Sequence, residues 1–346
     1  MKAKHSVVGL LAALAVSVPV VSQAAGTLYV GGYGGSFQDV LQKSVIPGFE
    51  SATGARVVYV PGNSTDTLAK LMARKGHEDL SVAIIDDGPM AQAVQQGLCA
   101  KLSDEGAIRE IYPLARLPEG QAVGIGLLAV GLGYNTAVFA RHGWKAPSSW
   151  MDLANPKYKG RVVIPPITNG YGLLTLVMMA RIHGGGEKDI APGFQVLKQQ
   201  VAPNVVAWVG SPGTMAQMMQ TGQAALVVWG NGRVQAVADQ GAPVKFVYPK
   251  EGAPVLMSEA CVVQGGPQQA LAQKFVQYLV SPKVQALLAE KAGFGPVNPK
   301  TTLSPNVQSR VVFGPEQVKQ LVQPDYAIIN KQRAAWTSSW DRTLEQ

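Results

Sequence analysis

Short apolar runs alternate with amphipathic stretches of helix length along most of the chain. Thr27 to Gly31 is apolar and breaks into Gly31-Gly32-Tyr33-Gly34-Gly35-Ser36. From Phe37 to about Glu50, apolar Val40, Leu41 and Ile46 are spaced among polar Gln38, Asp39, Gln42 and Lys43, the period of a helix. Arg56 to Val60 predicts a second strand, followed by Pro61-Gly62-Asn63-Ser64-Thr65 and a helix starting near Asp66. Leu80 to Ile85 predicts a third, ending at Asp86-Asp87-Gly88-Pro89 before a helix over Met90 to Gln96. Three strand–turn–helix units in succession predict a parallel sheet covered by helices.

The middle of the chain repeats the arrangement. Val162 to Ile164 leads through Pro165-Pro166-Ile167-Thr168-Asn169-Gly170-Tyr171-Gly172 into a helix over Leu173 to Arg181. Val205 to Val209 leads to Gly210-Ser211-Pro212-Gly213-Thr214 and a Met- and Gln-rich helix, and Ala224 to Val228 ends at Trp229-Gly230-Asn231-Gly232-Arg233. This predicts a second α/β lobe. No short fixed period recurs, which argues against a solenoid. In open α/β sheets the turns after the strand ends gather along one edge and form a ligand crevice. Glycines there allow close backbone approach, and Ser36, Asn63, Ser64, Thr65 and Asp87 offer polar side chains.

The N-terminus sets the compartment. Lys2, Lys4 and His5 precede an apolar run from Val7 to Val21, with small residues at Ser22 and Ala24. The run is short for a membrane span, so residues 1–24 read as a cleavable secretory signal. No cysteine accompanies it, which argues against a lipid anchor, and a periplasmic location follows. Cleavage after Ala24 leaves 322 of the 346 residues, enough for two lobes that each bury a core. It also takes the formal charge from +8 to +6. Lys and Arg are scattered singly with no basic stripe, so the charge does not point to nucleic acid. Cys99 and Cys261, the two cysteines, sit in apolar surroundings that favour free packed thiols over a disulfide.

Catalytic signatures are missing. The chain has no His-Glu-x-x-His, no phosphate loop ending in Gly-Lys-Ser/Thr and no Gly-x-Ser-x-Gly elbow. His5, His77, His142 and His183 lie far apart, so no metal cluster is expected. Gly124-Ile125-Gly126-Leu127-Leu128-Ala129 matches a loose dinucleotide fingerprint, but it lies inside an apolar run and reads better as a strand with close backbone packing. Asp86 and Asp87 are adjacent at a strand end and therefore point opposite ways, one to the crevice and the other toward the following helix. Trp229 closes an apolar strand among glycines that leave its face open for stacking.

Several motifs carry a family resemblance. Tyr33-Gly34-Gly35-Ser36-Phe37, Pro47-x-Phe49-Glu50-x-x-Thr53-Gly54, Gly133-Tyr134-Asn135-Thr136 and Trp150-x-Asp152-Leu153 occur in order. Pro156-x-Tyr158-Lys159-Gly160-Arg161, Pro249-Lys250-Glu251-Gly252, Ala272-x-Lys274-Phe275-x-x-Tyr278-Leu279-x-Ser281-Pro282 and Gly295-Pro296-Val297-Asn298 follow. Together they resemble family 1 extracellular solute-binding proteins, most nearly the spermidine/putrescine-binding branch, along nearly the whole mature chain. The resemblance implies a periplasmic binding protein clamshell of type II, two α/β lobes joined by crossover strands near 133–135 and 255–261. It places residues 25–133 with 255–300 in one lobe and 134–254 with 301–346 in the other. It also implies hinge closure on one small molecule, delivery to ABC permease subunits with a cytoplasmic ATPase, a monomer, and no cofactor or enzymatic activity.

The departures from that branch bear on the ligand. Trp229 matches the stacking Trp, but the Asp expected three residues later is Gly232, followed by Arg233. The Asp expected after Pro-Lys-Glu-Gly aligns with Ser258, the second-lobe turn reads Thr168-Asn169-Gly170-Tyr171, and only Asp87 remains as an amine partner. A buried ammonium with no carboxylate beside it loses several kcal/mol of solvation, roughly, with little return. The sequence therefore predicts a small polar organic solute, of a kind that can bear a carboxylate. Arg233 pairs with its anion, Trp229 and Tyr171 stack on it, and Tyr33, Ser36, Asn63, Asp87, Asn169, Thr214 and Ser258 complete the site. Three alternatives stand beside this reading. Asp86, Asp87 and Glu259 together suffice for a diamine such as putrescine, which keeps a polyamine-binding reading open. A hydrolase requires a nucleophile–base–acid set that the chain does not supply, and ferric-iron binding lacks the adjacent tyrosines it usually uses.

Overall fold

The computed structural model describes residues 26–117 and 119–345. The expected signal segment thus lies outside the described residues. Nine strands form the frame: β1 Thr27–Tyr33, β2 Arg56–Gly62, β3 Val82–Asp86, β4 Val123–Asn135, β5 Val162–Ile164, β6 Val205–Trp208, β7 Leu226–Gly230, β8 Val244–Val247 and β9 Val255–Val262. Their order is β2-β1-β3-β9-β4-β7-β5-β6, with β8 also pairing on β4. β1 runs parallel to β2 and β3, and β5 parallel to β6 and β7, as the alternating units predict.

The two parallel groups are joined by β4 and β9, which are antiparallel to each other. β4 is 13 residues long and all but one of its positions are buried, because both of its faces carry helices. Its first half pairs with β9 from Val123 to Ala129, and its second half with β7 and β8 from Val130 onward. The change of partner marks the crossover, a few residues before the expected position at 133–135. Gly124 and Gly126 lie in this strand, and a Cβ on Gly126 would stand 2.1 Å from the Phe294 ring. Close packing, not a dinucleotide turn, explains these glycines.

Helices start where the turns predict them. Asn63 accepts the Asp66 amide at 2.8 Å to open Ser64–Ala73, and Asn169 accepts the Tyr171 amide at 3.0 Å to open Gly170–Ile182. The latter helix is buried from Tyr171 to Ala180, consistent with an apolar sequence on every face. The predicted helix after β1 is a continuous helical run from Ser36 to Thr53 with an i→i+5 section at Leu41–Val45, stopped by left-handed Gly54.

Two expectations change. Cys99 and Cys261 form a disulfide, with Cα atoms 5.7 Å apart. Cys99 pairs with Val263 beside the end of β9, so strand adjacency brings together thiols 162 residues apart in sequence. The C-terminal segment is shared between the lobes, not confined to the second. Its last helix, Tyr326–Thr343, reaches Gly88 of the first lobe through Asn330 Nδ2 at 3.1 Å, while Trp340 stacks edge-on with Trp208 of β6 at 5.1 Å.

Candidate ligand crevice

The strand ends and turns of the two parallel groups face one another across a cavity of about 670 Å³. Leu128 of β4 and Leu256 of β9, paired in the crossover, line its floor. From the first lobe come Tyr33, Phe37, Asn63, Ser64, Asp86, Ser258 and Phe294; from the second come Asn169, Tyr171, Trp229 and Arg233.

A hydrogen-bonded cluster organises the first-lobe wall. Asp86 lies opposite Ser258 in the β3–β9 register, and partners in a ladder share a face. The Tyr33 hydroxyl donates to Asp86 Oδ1 at 2.7 Å and lies 3.1 Å from Ser258 Oγ. Ser64 Oγ donates to Asp86 Oδ2 at 2.9 Å and accepts the Asp86 amide at 3.1 Å. Burial raises the Asp86 pKa, while these hydroxyls and the charges of Arg233 and Arg333 oppose that rise. Tyr33 is pushed well above its ordinary value by burial first and by the Asp86 charge second, so it stays a donor.

The second-lobe wall is aromatic and cationic. Trp229 is nearly buried at the end of β7, and Tyr171 is seated on the first turn of its helix over Gly230, where a Cβ would come within 2.8 Å of its hydroxyl. Burial raises the Tyr171 pKa, and the adjacent Arg233 guanidinium works against that rise. Arg233 extends from the helix Asn231–Asp239, is exposed to the crevice, and takes part in no ion pair among the described residues. At the rim Arg310 is paired with Asp239 at 3.1 Å, whereas Lys291 remains available.

Of the predicted site residues, Tyr33, Asn63, Asn169, Tyr171, Trp229, Arg233 and Ser258 line this one cavity. Asp87 does not. Its Oδ2 accepts the Met257 amide at 3.1 Å and its Oδ1 the Gly88 amide at 3.0 Å, which turns it to the other side of the sheet. The two strand-end carboxylates do point opposite ways, but the crevice acid is Asp86. Thr214 is exposed on the helix Pro212–Thr221 and misses the cavity, because that helix presents Pro212 and Met215 instead. Ser36 opens the first helix, and its side chain lies outside the described part of the structure. Phe37 and Phe294 were not predicted. Ser64 stood among the polar turn residues, whereas Phe294 reaches the crevice only by packing against Phe37 at 5.3 Å, a contact no local pattern signals. Among the described residues no group of His, Cys, Asp and Glu is arranged to hold a metal.

Residues 45–314 match the family model of the bacterial extracellular solute-binding proteins, and the chain belongs to that family. A putative 2-aminoethylphosphonate-binding periplasmic protein of Salmonella paratyphi A is 25% identical over 308 residues, 86% of each chain. The spermidine/putrescine-binding periplasmic protein of Escherichia coli is 26% identical over 176 residues, 50% of this chain and 47% of that one. Among solved structures, an ABC transporter from Clostridium perfringens superimposes with a TM-score of 0.78 at 23% identity, covering 92% of this chain and 99% of that one. The fold is accordingly the clamshell of periplasmic binding proteins.

Proposed function

We propose that this protein is the periplasmic substrate-binding component of an ABC importer, that it acts as a non-enzymatic monomer, and that its cargo is a small polar organic solute bearing an anionic group. The observation that carries this reading is Arg233, an exposed guanidinium with no ion pair among the described residues, which faces the crevice beside Tyr171. A planar guanidinium binds carboxylate or phosphonate oxygens through paired N–H donors. Across the crevice, Asp86 with Tyr33, Ser64 and Ser258 receives the polar far end of the solute, an amine or hydroxyl, and Trp229 packs on its carbon skeleton. The name of the full-length Salmonella relative, which joins an amine to a phosphonate, is compatible with these two poles. The closed, loaded clamshell is then the form offered to the permease and its ATPase.

Ligand-induced shifts in the thermal unfolding of purified protein test the proposal. Amino acids with a terminal amine, aminoalkylphosphonates and dicarboxylates form one arm, and putrescine and spermidine the other. Stabilisation by a member of the first arm, lost in Arg233→Ala, is expected. Stabilisation by polyamines alone at micromolar concentration overturns it. The polyamine reading has its own support in Asp66, Asp86 and Glu290, which also line the cavity. Of its three carriers in the sequence, Asp86 lines the cavity, whereas Asp87 and Glu259 face away.

A further inference from the structure

Cations that are scattered singly along the sequence gather in space at the end of the second lobe remote from the crevice. In the β4–β7 ladder, Gly131 pairs with Trp229 at the crevice, whereas Tyr134 pairs with Leu226 at the other end. β5 starts at that outer end, with Val162 beside Leu226, and so does β8, with Val244 opposite Asn135. Asn135 caps the helix Thr136–Arg141 there. Four rings knot these segments together. Phe139 lies 4.8 Å from Tyr134 and 5.3 Å from Tyr158, and Trp144 stands edge-on to Tyr158 at 4.9 Å while stacking on His142 at 4.3 Å.

Five cations are pinned to this knot. Lys157 Nζ lies 4.7 Å over the Tyr158 ring, Lys145 and Lys159 adjoin Trp144 and Tyr158 in the chain, and Arg141 adjoins His142. Lys245 of β8 is the register partner of Tyr134 and shares its face. All five are exposed, and none takes part in an ion pair among the described residues. The acids of the same segments are occupied. Asp152 Oδ2 accepts the Ser148 and Ser149 amides at 2.8 and 3.1 Å, and Glu251 Oε2 accepts the Trp150 amide at 3.2 Å. Asp239, at the end of the helix before β8, is paired with Arg310. The pole keeps a positive excess.

We propose that this outer pole of the second lobe docks on an anionic phospholipid bilayer. None of the five cations lines the ligand crevice, so they are spread over a surface and not arranged about a small anion. Trp144 and Tyr134, half-buried among them, are rings of the kind that settle at headgroup level, and lysine stems reach past such rings to the phosphates. Each Lys or Arg held near an anionic leaflet strengthens attachment roughly fivefold, and salt weakens it. The crevice lies at the other end of the lobe, so cargo exchange continues during the contact.

Co-sedimentation of the purified protein with vesicles of phosphatidylglycerol and phosphatidylcholine, and with vesicles of phosphatidylcholine alone, tests this independently of the cargo. Binding is expected to the anionic vesicles only, and it should be lost at ~0.5 M salt, where the screening length is a few Å. Lys157→Glu combined with Lys245→Glu should weaken it by more than about tenfold. Lys70→Glu combined with Lys274→Glu, on exposed positions of first-lobe helices, changes the net charge equally and should retain most of the binding. Melting curves check that both variants fold. On the unmodified protein, anionic vesicles should shield Lys145, Lys157 and Lys159 from an amine-reactive label and leave Lys70 and Lys274 reactive. No binding to anionic vesicles, equal binding to neutral ones, or equal losses in the two variants overturns the proposal. Should a variant not fold, the label decides, and uniform or absent shielding refutes the surface. Capture of an acidic protein without vesicle binding refutes it as well.

Discussion

Arg233 and Asp86 approach the crevice from opposite walls, and each is prepared differently for a ligand. Asp86 is already satisfied by two hydroxyl donors, so it is a rigid, oriented acceptor. Arg233 forms no ion pair among the described residues and shares only a hydrogen bond with Tyr171, which leaves guanidinium donors for a guest. Arg233→Ala should therefore weaken binding of the cognate anion by tenfold to a hundredfold, about 1.4–3 kcal/mol, as for loss of a charge-assisted bond. Unfolding of the ligand-free protein should hardly change, since the side chain is exposed. Calorimetric titration of wild type and variant, beside their melting curves, checks both halves. Arg233 was legible in the sequence because it follows a strand end by a few residues, a position that topology alone sends to the crevice. The choice between Asp86 and Asp87 was not. Alternation showed that the two diverge, but only the pairing of Asp86 with Ser258 shows which one turns inward.

At the scale of elements, β3 and β9 concentrate the buried charge. Burial, followed by the charge of Asp86, raises Asp87 to about 8, and Glu259 is raised well above its ordinary value by burial and by both aspartates. A folded-state value above the unfolded one, which is near 4 for Asp, means that the native protein holds the proton more tightly. Its stabilising effect is complete below about pH 4 and is lost as pH rises toward 8. Asp87→Asn should accordingly flatten the fall of Tm between pH 5 and pH 8, leaving the part due to Glu259, and this is read from melting curves across that range in one low-sodium buffer series. The Cys99–Cys261 bridge anchors the same strand to the segment before β4. Replacing both cysteines with serine should destabilise the protein by about 2–5 kcal/mol, measured by denaturant unfolding, with the ligand specificity unchanged. The sequence could not pair these cysteines, because their apolar flanks describe a buried thiol and a buried disulfide equally well.

Across the whole molecule, the alternation of strands and helices was enough to predict two parallel groups and a crevice between them, because each unit obeys local periodicity. The contacts that set how the groups meet depend on long-range approach and left almost no trace. Gly232 is the instructive case. In the sequence it reads as the loss of an acid, yet in the structure it touches Gly293, and a Cβ at 232 would stand 2.9 Å from the Gly293 carbonyl oxygen. Gly232 belongs to the second-lobe helix that carries Arg233, and Gly293 ends the first-lobe helix Pro282–Ala292. Backbone therefore meets backbone across the crevice, and under the proposed closure the missing side chains would set how far the lobes come together. Gly232→Val should hold them apart. Ligand affinity should fall about tenfold or more, and small-angle scattering of the ligand-saturated protein should show a larger radius of gyration than wild type. The ligand-free melting temperature should stay near the wild-type value, because the open form loses no core packing. Gly213→Ala is the matched control, since a Cβ there meets nothing within 4 Å and the residue lies in the first turn of a helix on the same lobe. If both variants bind alike, the depth of closure is set elsewhere, and the glycine contact is only an incidental touch between the two walls.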